Sequence, residues 1–175
     1  MKVVASVAFS PAVLEVVQGD LLEQPVDAIV NAANGALAHG GGVAAIISRA
    51  AGPELQEECE RLVESHGIYP TGSAVVSTAG RLPFKGVIHA VGPRHGEGNE
   101  EKMIEKALLS AFECAKKRGW DSVALPAVSS GIFAVPLDIC ARAYVAAARK
   151  APIRKVVLCL RDQPIVDAVL KELKA

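Results

Sequence analysis

The stretch Asp27-Ala28-Ile29-Val30-Asn31-Ala32-Ala33-Asn34, continued by His39-Gly40-Gly41-Gly42-Val43, decides the reading of this chain. Asp27–Asn31 is a short apolar run of the kind that forms a buried strand. After Asn34 the chain reaches three consecutive glycines, and the residues beyond them, Val43–Ala51, have helical composition. A strand, a glycine-rich loop and a helix in that order form the basic unit of a layered α/β fold. Glycine lets the backbone approach a ligand closely and adopt positive φ. At a helix start, free N–H groups and the helix dipole face outward and suit an anion.

Working outward, the same alternation continues. Val3–Phe9 and Leu14–Val17 read as two strands around Ser10-Pro11, an antiparallel addition to the sheet. Pro53–Ser65 reads as a second helix, divided from the first at Gly52-Pro53. Ser73–Thr78 and Val87–Val91 read as strands. Met103–Lys117 carries apolar residues at helical spacing, closed by Gly119. Ser122–Ala127 is a strand, Pro136–Ala148 a helix opened by proline, Lys155–Leu160 a strand and Ile165–Leu173 a last helix. The expected architecture is α/β, a mixed and largely parallel sheet between helices, in a single domain spanning 1–175. Gly96–Glu101 is the most polar loop and is expected to be free to vary.

Composition narrows the function. Half the residues are apolar and 22% are charged, which excludes a disordered chain. Nineteen basic and nineteen acidic residues cancel, and the aromatic fraction is 4%. Extended nucleic-acid binding wants a basic excess and stacking aromatics, so it is not expected. Cys59, Cys114, Cys140 and Cys159 form no C-x-x-C pair and sit in apolar or helical contexts. They read as buried, reduced thiols, which implies an intracellular, cytoplasmic setting. No run approaches the ~18 apolar residues of a membrane span. The early apolar run is too short for a signal peptide. Monomer is the default.

Ligands of such sheets sit beyond the strand ends that feed the helices. Besides Gly40–Val43, two further features fall there. Ser129-Ser130-Gly131-Ile132-Phe133-Ala134 lies between a strand and a helix. Its small residues leave N–H groups free for phosphate, its hydroxyls add donors, and Phe133 offers an apolar face to a sugar. Gly19-Asp20-Leu21 follows an early strand. A carboxylate repels diphosphate, so Asp20 either caps a turn or faces the ligand's other end, where it can accept from an exocyclic amine such as adenine's. Gly40-x-Gly42-x-x-Ala45 fits a dinucleotide fingerprint only loosely, because Glu60, at the acidic position, lies inside a helix rather than at a strand end. There is no G-x-S-x-G elbow for a serine nucleophile. The histidines His39, His66, His89 and His95 lack metal-ligand spacing, so no metal and no cofactor are expected. His89 reads as a core residue, whereas His39 borders the glycines.

Taken together these loops resemble a macrodomain. The matching runs are Val17-Gln18-Gly19-Asp20, Asp27 to Asn34, His39 to Val43, Ala50-Ala51-Gly52-Pro53, Thr71-Gly72, Val87-Ile88-His89-Ala90-Val91-Gly92-Pro93 and Ala124 to Phe133. They cover nearly the whole chain, and their joint occurrence carries the signal. The resemblance implies a three-layer α/β/α sandwich that binds ADP-ribose and ADP-ribosylated proteins. It would place Asp20 and Leu21 at the adenine, and Asn34, Gly41, Gly42 and Val43 at the distal ribose and diphosphate. Ser129, Ser130, Gly131, Ile132 and Phe133 would form the second phosphate loop.

Many macrodomains of this look remove mono-ADP-ribose from acidic side chains or deacetylate O-acetyl-ADP-ribose. That implies water attack at the substituted distal ribose, with Asn34, His39 and Phe133 positioning the reactants. Two departures bear on this. A well-known hydrolase subgroup carries an aspartate where this chain has Ala44. In that respect the chain is most similar to the viral and poly(ADP-ribose)-polymerase-linked branch, some of whose members still hydrolyse. Arg161 stands where some relatives stack an aromatic on adenine; a guanidinium can also stack there, or it is a solvated surface group. The alternative to a hydrolase is a module that reads ADP-ribose without turnover.

Overall fold

The computed structural model describes residues 1–175. Seven strands form one sheet: β1 (Lys2–Ala8), β2 (Val13–Gln18), β3 (Ala28–Ala33), β4 (Ala74–Ser77), β5 (Gly86–Val91), β6 (Ser122–Leu125) and β7 (Lys155–Leu160). Their spatial order is β1-β2-β7-β6-β3-β5-β4. The five inner strands run parallel, while β1 and β4 lie antiparallel at the two edges. All the inner strands therefore finish at the same end of the sheet, and the loops that leave them meet there.

Five helices cover the faces: α1 (Gly42–Ala51), α2 (Pro53–His66), α3 (Glu100–Lys117), α4 (Leu137–Lys150) and α5 (Gln163–Lys174). Side chains alternate across each strand. Val123 and Leu125 point to the layer of α3, α4 and α5, whereas Ala124 points to the layer of α1 and α2. Val156, Leu158 and Leu160 divide from Val157 and Cys159 in the same way. The result is two apolar cores, one of 33 buried residues and one of 17, separated by the sheet. This is an α/β/α sandwich.

Several boundaries differ from the sequence-based expectation. Strand β3 runs on to Ala33, paired with Val91 of β5. Strand β6 stops at Leu125, because Pro126 has no N–H to continue the ladder. Helix α3 begins at Glu100, inside the loop expected to vary freely, where Glu100 Oε1 accepts from the backbone N–H of both Gly96 and Gly98 at 3.0 Å. Asp27 anchors the base of β3: Oδ2 accepts from Asp121 N at 2.9 Å, and Lys85 Nζ lies 3.2 Å from Oδ1. Burial raises the Asp27 pKa, but these bonds outweigh it and leave the carboxyl below its ordinary value.

Candidate functional site

The C-terminal ends of β2, β3, β6 and β7 open into one cavity of about 510 Å³. Asp20 and Leu21 line it after β2, and Asn34 after β3. Gly41, Gly42 and Val43 enter from the start of α1, the loop Ser129–Phe133 follows β6, and Arg161 follows β7. Every candidate site residue named from the sequence lies on this cavity except His39. A second concavity, of about 660 Å³, is an open trough along α3 and β4 with Lys102, Glu105, Lys106, Glu113 and Lys117 on its walls. None of the glycine loops reaches it.

The two loops face each other across the cavity. Gly41 caps α1 in an extended conformation with no side-chain cap, and Gly42 adopts φ +58°. Only glycine takes that value without strain. The N–H groups of Gly40, Gly41, Gly42 and Val43 donate to no protein acceptor. A Cβ placed at Gly41 would stand 3.5 Å from Ile132 Cδ1, and one at Gly42 3.8 Å. The opposite loop holds itself through Ala134 N to Gly131 O and Val135 N to Ser129 O, both 3.0 Å. Tyr144 OH, buried below it, donates to Val128 O. Ser129 sits at φ 67°, a left-handed position that costs a non-glycine residue on the order of 1–3 kcal/mol. The N–H groups of Ser129, Gly131, Ile132 and Phe133 are left without protein acceptors. Together the two loops line one cavity with N–H groups that have no protein acceptor, an arrangement suited to an anion.

The hydroxyls contribute less than their sequence positions suggested. Ser130 Oγ donates to Ala127 O at 2.9 Å, so its proton is engaged within the loop. Ser129 Oγ is buried without a partner, pressed against Gly92, where an added Cβ would meet it at 2.3 Å. Gly92 is thus the residue that lets the loop after β5 pack beneath the loop after β6.

At the other end, Asp20 caps a 3-10 turn, Leu21–Glu23. Its Oδ1 accepts from Leu22 N at 2.9 Å, which leaves Oδ2 for a ligand. Gln24 Nε2 donates to Asp20 O at 2.8 Å and steadies the turn. Leu21 is buried beside the carboxylate. Arg161 is exposed at the rim and its guanidinium has no carboxylate partner. Cys159 also lines this end; burial, then the nearby Asp20 charge, pushes its thiol up to about 11, so it stays protonated at neutral pH.

The opposite end holds Asn34 and Phe133. Asn34 braces its own loop, with Oδ1 accepting from Ala38 N at 3.0 Å and Nδ2 donating to Ala38 O at 3.3 Å. Phe133 is half-buried, and the Arg94 guanidinium lies 5.1 Å from its ring centre. Sequence reasoning missed Arg94, although Gly92-Pro93 at a strand end signalled a loop feeding the crevice. Ala44, on the first turn of α1, lines the cavity and is buried. No carboxylate lines this end of the cavity; Asp20 and Asp162 are its acidic residues, both near the first end.

His39, expected at the ribose, does not line the cavity. Its ring turns behind the glycine loop, with Nδ1 2.6 Å from Gln56 Oε1 and Nε2 4.0 Å from Cys59 Sγ. There it meets His89, whose ring centre is 5.7 Å away. His89 is fully buried, with Nδ1 3.0 Å from Asn31 Nδ2 and Nε2 2.7 Å from Ser77 Oγ. Burial, then repulsion from His39, lowers the His89 pKa to about 3 and keeps the ring neutral. The cluster His39, Cys59 and His89 is assembled from a loop, a helix and a strand, so no spacing in the sequence could reveal it.

Comparison with known proteins agrees with this architecture. The Macro domain family profile matches residues 30–144. The chain is 47% identical over 125 residues to an O-acetyl-ADP-ribose deacetylase of Escherichia fergusonii, covering 70% of this chain and 71% of that protein. It is 41% identical over 167 residues to human protein mono-ADP-ribosyltransferase PARP14, covering 93% of this chain but only 9% of that much longer protein. The Oceanobacillus iheyensis macrodomain solved with ADP superposes with a TM-score of 0.89 at 28% identity, over 97% of this chain and 94% of that one. A Trypanosoma brucei macrodomain in complex with ADP-ribose superposes with a TM-score of 0.81 at 28% identity, over 91% of this chain and 68% of that one. With the sheet order, the paired glycine loops and these matches in hand, the chain belongs to the macrodomain family.

Proposed function

We propose that the cavity binds ADP-ribose and that the protein hydrolyses ADP-ribose conjugates: mono-ADP-ribose esters of acidic side chains and O-acetyl-ADP-ribose. One observation carries the reading. Gly40–Val43 and the Ser129–Phe133 loop, whose N–H groups are left unpaired apart from Ser130's, line a single cavity whose far end is lined by Asp20. A ligand with a diphosphate in its middle and an amine-bearing base at one end fits that charge pattern. The relatives named for O-acetyl-ADP-ribose deacetylase activity, and the related structures holding ADP and ADP-ribose, support it.

The chemistry is positioning rather than covalent catalysis. With Ala44 on α1, the distal end supplies no carboxylate base, and no cysteine lines it. For an acidic side-chain conjugate, water placed by the bound phosphate attacks the ester-bearing ribose carbon, the bond from that carbon to the acyl oxygen breaks, and the carboxylate leaves. For O-acetyl-ADP-ribose the water attacks the acetyl carbonyl carbon, the bond to the ribose oxygen breaks, and acetate and the ribose hydroxyl result. In both, one proton passes to bulk water. Asn34 orients the ribose hydroxyls, and Phe133 closes the apolar side. The test is release of ADP-ribose from a glutamate- or aspartate-modified protein and from O-acetyl-ADP-ribose. Turnover no faster than that of the Asn34→Ala, Phe133→Ala variant would refute hydrolysis. Ala44 is the observation that favours the second reading, a module that reads ADP-ribose; tight calorimetric binding without turnover would select it.

A further inference from the structure

Behind the first glycine loop lies a cluster that the ligand cavity does not use. His39, Cys59 and His89 each offer one ligand atom, and these atoms all lie within 4.8 Å of one another. Cys59 Sγ stands 3.6 Å from His89 Nε2 and 4.0 Å from His39 Nε2. Tetrahedral zinc, with Zn–N of about 2.0–2.1 Å and Zn–S of about 2.3 Å, places nitrogen and sulfur about 3.6 Å apart. We propose that His39 Nε2, Cys59 Sγ and His89 Nε2 form a three-ligand site for a borderline-soft divalent cation of the zinc class, with water in the fourth position.

The surroundings support this beyond distance. Metal-bound imidazole almost always ties its other nitrogen to an acceptor, which fixes the ring. His39 Nδ1 is so tied, to Gln56 Oε1 at 2.6 Å, and Gln56 Nε2 is in turn held by Glu60 Oε1 at 3.1 Å. His89 Nδ1 meets the Asn31 side-chain amide at 3.0 Å, and Asn31 Oδ1 is buried without a partner. Exchanging the amide's nitrogen and oxygen sets Oδ1 at that contact, where it accepts from His89 Nδ1–H. In the ion's absence His89 Nε2–H donates to Ser77 Oγ at 2.7 Å, and Ser77 Oγ donates to Thr78 O at 3.0 Å. With the amide exchanged the His89 proton resides on Nδ1, and the ion replaces the Ser77 contact at Nε2. As the ion binds, a metal–sulfur bond forms and the Cys59 thiol proton leaves to bulk water. Cys59 and His89 are buried while His39 is half-exposed, so His39 is the side from which an ion enters.

The experiment uses chelator-stripped full chain titrated with cobalt(II). Thiolate-to-cobalt charge-transfer absorption in the near ultraviolet, saturating at one equivalent and displaced by zinc, is the expected result. Cys59→Ala and His39→Gln each abolish it, Gln56→Ala weakens binding about 10–100-fold, and His66→Ala leaves it unchanged. His66 stacks on Tyr69 outside the cluster. Where Cys59→Ala does not fold, His39→Gln decides, because its side chain sits at the open edge. No charge-transfer band in the parent protein, or a band that survives His39→Gln, overturns the proposal.

Discussion

Replacing Asp20 by asparagine separates the two jobs of one carboxylate. Oδ1 accepts from Leu22 N at 2.9 Å and caps the 3-10 turn, while Oδ2 is open to the cavity. Asparagine caps a turn about as well as aspartate, so the turn should persist. The amide oxygen must then face Leu22 N, and the amide NH2 takes the place of Oδ2. A donor now confronts the donor of an adenine amine. Losing a hydrogen bond to a charged acceptor costs about 1.5–3 kcal/mol, or about 10- to 150-fold in Kd. Calorimetry with ADP-ribose should show that loss with unchanged thermal stability. A hypoxanthine analogue, whose ring carries a carbonyl in place of the amine, should bind Asp20→Asn better than it binds the parent. Equal affinity of parent and variant for ADP-ribose would show that the base lies elsewhere.

Gly92→Ala should lower stability by about 1–3 kcal/mol and weaken ADP-ribose binding, because its Cβ would stand 2.3 Å from Ser129 Oγ and 2.8 Å from Val128 Cγ1; denaturant titration and calorimetry read the two effects. Tyr144→Phe leaves the Val128 carbonyl without its donor in a buried setting, which should cost about 1–3 kcal/mol in urea unfolding. Asp27→Asn tests acid stability. The folded carboxyl titrates below its ordinary value, so its contribution is present above the unfolded value and fades as pH falls through the folded one. The melting temperatures of parent and Asp27→Asn should therefore differ most near neutral pH and converge in acid; a gap that widens in acid would contradict the assignment.

What the sequence showed, and what it hid, follows from how far apart the cooperating residues lie. Hydrophobic alternation and glycine placement are local signals, and they located the strands, the helices and both loops. Strand order is not local: β3 lies between β5 and β6 because of packing that no single run of residues records. Pro126 was a readable stop for β6, whereas the start of α3 depends on the Glu100 side chain collecting two glycine N–H groups. His39 was placed at the ribose because it adjoins Gly40. Adjacency in the chain does not fix where a ring points, and Gln56, 17 residues on, turns it inward. Arg94 reaches Phe133 from a different strand end; Gly92-Pro93 marked its loop, but nothing local to either residue recorded their contact.

The sheet divides the apolar interior unequally, 33 buried residues against 17. Opening free energies within a protein follow the contacts that must be broken. The thinner half, under α1 and α2, is therefore the cheaper one to peel away, and it bears the triple-glycine turn. Deuterium uptake by α1 amides should run ahead of uptake by α4. An occupied cleft, bridging that turn to the loop on the thicker half, acts as a staple that slows it.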